Sequence, residues 1–581
     1  MYTRSFGLAL VGALLLGLTG GCKKSAPGEG TSNETQPLQG QKGPPRDLVA
    51  SLHWLGIKRV GLDTNSAHFM PVWNLPETAK LKDQTLDKLA LWLAEGAKSG
   101  SNYASVSSNQ VNTPIRPLLE DLIEEESYLE ISSPTNQPGE LAFAIRLAPG
   151  RSLFWETNLA SFVESCTQRR PVRVAGTTFG WQLNLTNQPI GINQTSPASA
   201  EPRPISAVTT HLELTRSADW TFFALSRGSS STVADFRARF GHDRNPFPAS
   251  TTNFWLDAQF ELPAVARALA LNWSLPQNCP KVAMDVFADG QDVRIQGQID
   301  FPQSFPVEPE AWNIPTNLIH FPLVGFTSAR GFRPWLSSFK PWADLQLGAA
   351  PNQAYLWSQK GLPLQNYFAT PLTGASNVVD KVSAMLQQTM NPWLADERLG
   401  AWQNSTGFHG VVWNGAPFIA PEFRSISDTN GEFVCGGLIN PPSASQPLPP
   451  ELLHELDTRT NLLLYDWEIT ADGLEHGLYV SQLLRLFSHK AQLLGESASL
   501  TWLHNITHRL GNCVTTITES HPGQFLVTRR STIGLHSIEL HAMADWLESP
   551  QFPHGLYSLL TPAPPSPAEM IRTNAMQNIR K

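Results

Sequence analysis

The chain has 581 residues, 41% hydrophobic and 16% charged, with a formal net charge of −8. That composition is globular, sparing in charge for its length, and sufficient for two or three domains or one elongated body. A negative balance with no basic stripe interleaved with aromatics excludes a nucleic-acid partner. Beyond the N-terminus no apolar run reaches the ~18 residues of a spanning helix.

The N-terminus itself is distinctive. Arg4 precedes an apolar run, Phe6 to Leu18, and Leu18-Thr19-Gly20-Gly21-Cys22 follows. The run is too short to cross ~30 Å of hydrocarbon, so residues 1–21 read as a secretory signal peptide. Small residues before a cysteine suit an extended chain in a narrow peptidase cleft, and the segment resembles a bacterial lipobox. It departs from the usual pattern at Thr19, where an aliphatic residue is commoner. The resemblance implies a lipid anchor on Cys22. Residues 22–46, rich in Gly, Pro, Ser, Gln and Thr, read as a disordered tether. The expected location is therefore the cell envelope, on the extracytoplasmic side of a membrane. Lys23 after the cysteine points to the outer membrane where a cell has two.

The body begins with helical periodicity. Thr85 to Ala97 places Leu86, Leu89, Ala90 and Leu93 on one stripe, and Pro117 to Tyr128 does the same with Leu118, Leu119, Leu122 and Ile123. The acids Glu120, Asp121, Glu124, Glu125 and Glu126 read as a solvated helix face. Strands are predicted at Glu140 to Leu147, Phe179 to Leu185, His211 to Leu214 and Asp219 to Leu225. Asn253 to Leu262 is a further strand, and Pro263 opens a helix after it. Hairpins are predicted over Lys281 to Asp300, turning at Asp289-Gly290, and over Asn512 to Arg530, bent at Pro522-Gly523. Another is predicted at Asn414-Gly415, joining Gly410-Trp413 to Ala416-Ile419. The abundance of Trp, 18, and Pro, 46, suits β-rich structure with many turns.

The fold class expected is α+β, with antiparallel sheets packed against helices and two tandem pseudo-repeats. Phe223-Ala224, Ser231, Val233 and Asp235 recur without a gap as Phe368-Ala369, Ser376, Val378 and Asp380, with the serine as helix cap. Each copy is followed by an Asn-led strand, Asn253 to Leu262 or Asn461 to Ile469, then a helix and a hairpin. The divisions expected are an N-terminal α+β region over 47–205, a first pseudo-repeat over 206–345, a second over 346–555, and a flexible tail over 556–581.

With Cys22 acylated, Cys166, Cys279, Cys435 and Cys513 remain, compatible with two disulfides in any of three pairings or with four separate thiols. His504 and His508 lie one turn apart on a predicted helix, a spacing that can present two nitrogens to zinc. His536, Glu539 and His541 could add to them, although Asn505 stands where the zinc-peptidase pattern has an acid. Tyr465-Asp466-Trp467-Glu468 resembles the end of the acidic strand motif of family 18 chitinases, in which alternate carboxylates share a strand face. Leu464 and Asn461-Leu462 depart from that motif, and eight βα units are lacking, so the pair reads as one polar face of a strand. No nucleophile elbow, phosphate loop, dinucleotide glycine run or EF-hand loop occurs, and no cofactor is expected.

Arg146-Leu147-Ala148-Pro149-Gly150 with Trp155-Glu156-Thr157-Asn158-Leu159, Trp312-Asn313-Ile314-Pro315-Thr316-Asn317-Leu318-Ile319, and Ala544-Asp545-Trp546-Leu547-Glu548-Ser549-Pro550 resemble segments of an uncharacterised family of exported, lipoprotein-like proteins of Verrucomicrobia-type bacteria. The resemblance implies one integrated body over about residues 45 to 555 and carries no activity. The function expected is that of a non-enzymatic, membrane-anchored lipoprotein binding a lipid, glycan or protein partner. The alternative is an extracytoplasmic hydrolase, metal-dependent or carboxylate-based.

Overall fold

The structure, a computed structural model, describes residues 48–99, 115–133, 139–174, 176–186, 209–227, 231–242, 254–269, 278–361, 364–415, 419–428, 431–439, 450–487 and 497–553. The predicted signal peptide, Cys22, the predicted tether and the predicted C-terminal tail lie outside the described residues.

The fold is α+β. In chain order, the first part holds β1 (Leu48–Trp54), α1 (Ile57–Val60), α2 (Phe69–Trp73), α3 (Pro76–Ser99), α4 (Arg116–Glu124), β2 (Ser127–Ser132), β3 (Glu140–Arg146) and α5 (Pro149–Thr167). β4 (Val172–Arg173), β5 (Trp181–Thr186), β6 (Thr209–Ser217), β7 (Trp220–Arg227), α6 (Ser231–His242), β8 (Phe254–Glu261), α7 (Leu262–Ala268), β9 (Lys281–Asp289) and β10 (Asp292–Asp300) follow.

The second part opens with β11 (Leu323–Arg330), α8 (Arg333–Ser338), α9 (Lys340–Leu345), β12 (Gln353–Gln359), β13 (Asn366–Pro371) and α10 (Ala375–Met385). α10 runs through a π-helical turn, Leu386–Met390, into α11 (Asn391–Asp396). Then come β14 (Ala401–Asn404), β15 (Gly410–Asn414), β16 (Glu422–Asp428), β17 (Gly431–Gly437) and α12 (Pro450–Thr458). The chain closes with β18 (Leu462–Ile469), α13 (Thr470–Phe487), α14 (Ala498–Thr507), β19 (Asn512–His521), β20 (Gln524–Ser531) and α15 (Ser537–Glu548).

All twenty strands pair antiparallel into one sheet. Its order is β4-β5-β6-β7-β3-β2-β1-β8-β9-β10, then β20-β19-β18-β11-β12-β13-β17-β16-β15-β14. The two arms meet at β10 and β20, where Gln296 faces Thr528 near mid-strand. The predicted boundary at 205/206 falls between β5 and β6, which pair with each other, and that at 345/346 falls between the paired strands β11 and β12.

Side-chain alternation explains how the sheet is covered. In the first arm Leu52, Leu129, Phe143, Phe223 and Leu214 lie on one face beneath α3, α4 and α5, as the apolar stripe of Leu86, Leu89, Ala90 and Leu93 predicts. The opposite face carries Tyr128, Ala144, Trp220 and Phe222, covered by Phe236 and Phe240 of α6. In the second arm one face, with Phe326, Tyr355, Trp357 and Tyr367, lies under Leu452 and Leu456 of α12 and under Ile314 and Ile319. α14 and α15 pack on Val72 and Leu81 and so join the end of the chain to its beginning. Lys88 of α3 secures that join, its Nζ donating to the carbonyls of Leu547 and Glu548 at 2.8 Å each and of Ser549 at 3.3 Å.

Some expectations need correction. The acids of residues 120–126 are a solvated face only in part: Glu120, Glu124 and Glu125 are partly exposed, whereas Asp121 and Glu126 are buried, Asp121 accepting from Arg151 and Trp155 and Glu126 from His53. Asp121 lies on the inward side of α4, and Glu126 lies in the turn from α4 into β2. The strand Gly410–Asn414 pairs with β14 and with β16, while residues 416–418 of its predicted partner Ala416-Ile419 lie outside the described residues. Ser376 does not cap its helix; Gly374 holds the N-cap position, left-handed at φ 74°, and the Ser376 hydroxyl meets that of Ser425. Cys166, Cys279, Cys435 and Cys513 are four free thiols, the second of the two alternatives the sequence leaves open.

The outermost strand of the second arm is closed by a side chain. Asn391 accepts from the Trp402 amide through Oδ1 at 2.7 Å and donates to the Trp402 carbonyl through Nδ2 at 3.0 Å, filling both backbone sites of Trp402 on the outer edge of β14.

Candidate functional site

A cavity of about 140 Å³ opens on the covered face of the second arm, between β12, β13, β16 and β17 and the segment 317–320. Its floor follows one cross-strand row: Trp467, Phe326, Trp357, Tyr367, Gly437, Glu422 and Val412 are successive partners from β18 to β15. Aromatic side chains fill the row as far as Tyr367, whose ring stacks on Trp357 at 5.7 Å. It then breaks at glycine. A Cβ on Gly437 would lie 2.4 Å from the Tyr367 ring, and one on Gly436 would lie 2.7 Å from the Phe368 ring. Glycine in a strand interior weakens the strand, and here it admits two rings against the β17 backbone.

The polar groups converge where the row breaks. Tyr367 is 6% exposed, and among the described residues its hydroxyl has no hydrogen-bond partner. Glu422 is buried beside it; burial pushes its carboxyl above the ordinary range, with Arg424 pulling partly back. Burial and the Glu422 charge push the Tyr367 hydroxyl up to about 12, so it remains a donor at neutral pH. Arg424 Nε stands 3.3 Å from Glu422 Oε1 as an ion pair, yet that N–H is buried and makes no hydrogen bond. The wall beyond includes Cys435, whose thiol burial holds up and neutral, and His320, whose imidazole burial holds down.

The cavity has the size of those that accept a single six-membered ring and is smaller than the ~300 Å³ at which drug-sized sites begin. What it presents to an occupant is a hydroxyl and a guanidinium Nε–H without hydrogen bonds among the described residues, and a carboxyl, ion-paired to Arg424, whose affinity for a proton burial raises. Buried polar groups are ordinarily satisfied, so such a cluster is a place where a ligand can supply the missing partners. Nothing in the sequence reading singled out Glu422 or Tyr367. The available signal was the pair Gly436-Gly437 inside a strand pattern.

The residues that the sequence did single out fall in two places. His504 and His508 are exposed on α14, with ring centroids 6.3 Å apart, while Trp502, Leu503 and Ile506 face the core. His541 bonds to the Leu474 carbonyl, and His536 turns to β18. Among the described residues no group of three or more His, Cys, Asp or Glu is arranged to hold a metal ion.

Asp466 and Glu468 do meet a third group. His536 Nε2 lies 3.0 Å from Glu468 Oε2 and 3.4 Å from Asp466 Oδ2. The oxygens are otherwise engaged: Glu468 accepts from the Ser537 amide and hydroxyl at 2.7 Å each, and Asp466 from the Thr327 hydroxyl at 2.6 Å. Burial pushes the Glu468 carboxyl up while His536 pulls it back. A carboxyl accepting from the first amide of α15, that of Ser537, stabilises that helix through its dipole, and Glu539 completes the capping box by accepting from the His536 amide. This cluster docks α15 onto β18.

No family model, curated protein or solved structure matches the chain.

Proposed function

We propose that this protein is a non-enzymatic binding protein, lipid-anchored through Cys22 on the extracytoplasmic side of the cell envelope. Its ligand is an uncharged, hydroxyl-bearing ring the size of one sugar residue, free or at the end of a glycan. One observation carries the reading: the unpartnered Tyr367 hydroxyl beside the Glu422–Arg424 pair in a cavity of about 140 Å³. Of the lipid, glycan and protein ligands the sequence leaves open, an acyl chain suits that volume and polarity least. Among the described residues no helix is long and apolar enough to cross a membrane, which leaves Cys22 as the attachment this reading uses.

Calorimetric titration of the mature protein with glucose, galactose and N-acetylglucosamine tests the ligand. One sugar should bind at a single site, Tyr367→Phe should weaken it about 3- to 10-fold through one lost hydrogen bond, and Glu422→Gln should abolish it. Co-purified fatty acid in native mass spectrometry, with no sugar bound, would sink the reading. Cys22→Ser tests the anchor and should release the protein into the soluble fraction.

The convergence of Asp466, Glu468 and His536 favours a second reading, a carboxylate-based hydrolase. The hydrogen bonds from Ser537 to both Glu468 oxygens argue for docking instead. Glycosidase turnover lost in Glu468→Gln with the fold intact would reverse that judgement.

A further inference from the structure

Counted outward from the β10–β20 pair, one arm runs β9, β8, β1, β2, β3, β7, β6, β5, β4 and the other β19, β18, β11, β12, β13, β17, β16, β15, β14, the same order advanced by ten. The registers also coincide. Leu52↔Leu129, Leu129↔Phe143, Phe143↔Phe223 and Phe223↔Leu214 in the first arm become Thr327↔Leu356, Leu356↔Phe368, Phe368↔Gly436 and Gly436↔Phe423 in the second, with one constant offset for each strand.

Irregular features fall at matched places too. The β1–β2 ladder slips between Leu48 and Ala50, and the β11–β12 ladder between Leu323 and Gly325. β8–β9 slips between Phe254 and Leu256, and β18–β19 between Leu462 and Leu464. After the first strand of each arm stands a left-handed glycine, Gly56 at φ 85° and Gly331 at φ 88°. The Leu147 amide donates to the Asp219 carbonyl and the Leu372 amide to that of Glu432, each at 2.9 Å. In this register Leu48-Val49 matches Leu323-Val324, Tyr128-Leu129 matches Tyr355-Leu356, Phe143-Ala144 matches Phe368-Ala369, and Glu213 matches Glu422.

We infer that the chain is two copies of one ten-stranded unit, residues 48–300 and 323–531, and that Glu213 is the first copy's counterpart of the ligand carboxylate Glu422, in a site sealed by α6. Bulges and positive-φ glycines follow no general rule of sheet building, so their coincidence at a single register points to common descent. The cavity row of the second copy corresponds to Gln259, Ser51, Glu130, Ala142, Ala224, Glu213 and Gln182 in the first. There the cavity's place is taken by arginines: Arg237 of α6 pairs with Glu213, and Arg239 with Glu130 at 2.6 Å. In the second copy Arg424, on the carboxylate's own strand, supplies the charge, and the volume stays open.

The ligand arm of the test rests on the cavity reading above. Full-length Arg237→Ala is titrated with glucose, galactose and N-acetylglucosamine; Arg237→Ser serves if the alanine variant does not fold. Wild type should bind one equivalent, lost in Glu422→Gln. The unsealed variant should bind two, the added one lost in Glu213→Gln. A folded, unsealed variant that still binds one equivalent overturns the sealed site. If wild type binds none of the sugars, the cavity reading fails, and the duplication is decided by a matched pair of glycines. A Cβ on Gly180 would lie 2.4 Å from the Leu214 carbonyl oxygen, and one on Gly410 would lie 2.1 Å from that of its matched residue Phe423. Gly180→Ala and Gly410→Ala should each lower Tm by similar amounts, and an unchanged Tm in either overturns the matching.

Discussion

Replacing Glu422 by Gln should stabilise the unliganded protein at neutral pH while removing ligand binding. The Glu422 side chain is 3% exposed, and burial outweighs Arg424 in setting its proton affinity, so the folded carboxyl titrates above the unfolded one. A group with a raised folded pKa contributes stability that is fully present below its unfolded value, near 4.3, and lost as pH rises through the folded value. As pH rises through the folded value, the wild type therefore comes to carry a carboxylate that its surroundings disfavour. Glutamine keeps the shape without the charge, and its amide nitrogen donates where a carboxylate oxygen accepts. Loss of the Arg424 attraction offsets part of the gain, and a small net rise in Tm at neutral pH is expected. Differential scanning fluorimetry from pH 5 to 8 provides the assay. The advantage of Glu422→Gln should grow with rising pH and shrink toward pH 5. A variant that is less stable than wild type at pH 8 and equal to it at pH 5 would mean that the carboxyl is held down by its partners, and the argument for a proton-sharing site would fail.

Gly437→Ala should cost about 1–3 kcal/mol by driving a methyl into the Tyr367 ring, seen as a lower Tm together with weaker sugar binding. Lys88→Met leaves three carbonyls at the end of α15 without their donor; a loss of about 1–3 kcal/mol and faster amide exchange in that helix are expected. Arg330→Met should be costlier, about 3–5 kcal/mol, because the guanidinium donates to the carbonyls of Leu462, Glu310 and Thr460; urea unfolding would measure it. His504→Ala and His508→Ala, on an exposed face, should change stability by no more than about 0.5 kcal/mol and leave metal content unaltered.

Local structure was largely legible from sequence and long-range pairing was not. The hairpins at Asp289-Gly290 and Pro522-Gly523 were predicted because turn chemistry and alternation lie within a few residues of each other. The run from an Asn-led strand into a helix and a hairpin was read at both β8 and β18 for the same reason. Phe368-Ala369 resembles Phe223-Ala224 in sequence, whereas the duplication inferred above matches it with Phe143-Ala144, each pair beside the corresponding Tyr-Leu of its neighbouring strand. Short apolar pairs recur too often to fix an alignment, and the features that discriminate, bulges and left-handed glycines, emerge only once strands are paired. The candidate site was illegible for a related reason. Glu422, Tyr367 and Trp357 come from three strands, and their meeting depends on Gly437 occupying one row of the sheet. The acidic pair at Asp466 and Glu468 was visible as a pattern, but its partner His536 is brought back by a hairpin, and that contact recasts the pair as a helix anchor.

The Asn391 carboxamide on Trp402 bears on how the protein behaves in company. An unsatisfied strand edge is a template on which another chain can lay itself, and a sheet of this width would make a productive seed. By imitating one residue of a further strand, Asn391 ends the ladder without inviting a successor. Wherever neighbouring molecules meet at this edge, the Asn391 carboxamide already occupies the Trp402 backbone position that a further strand would use. Asn391→Ala would then expose the edge and promote assembly into fibres before it lowered the stability of any single molecule.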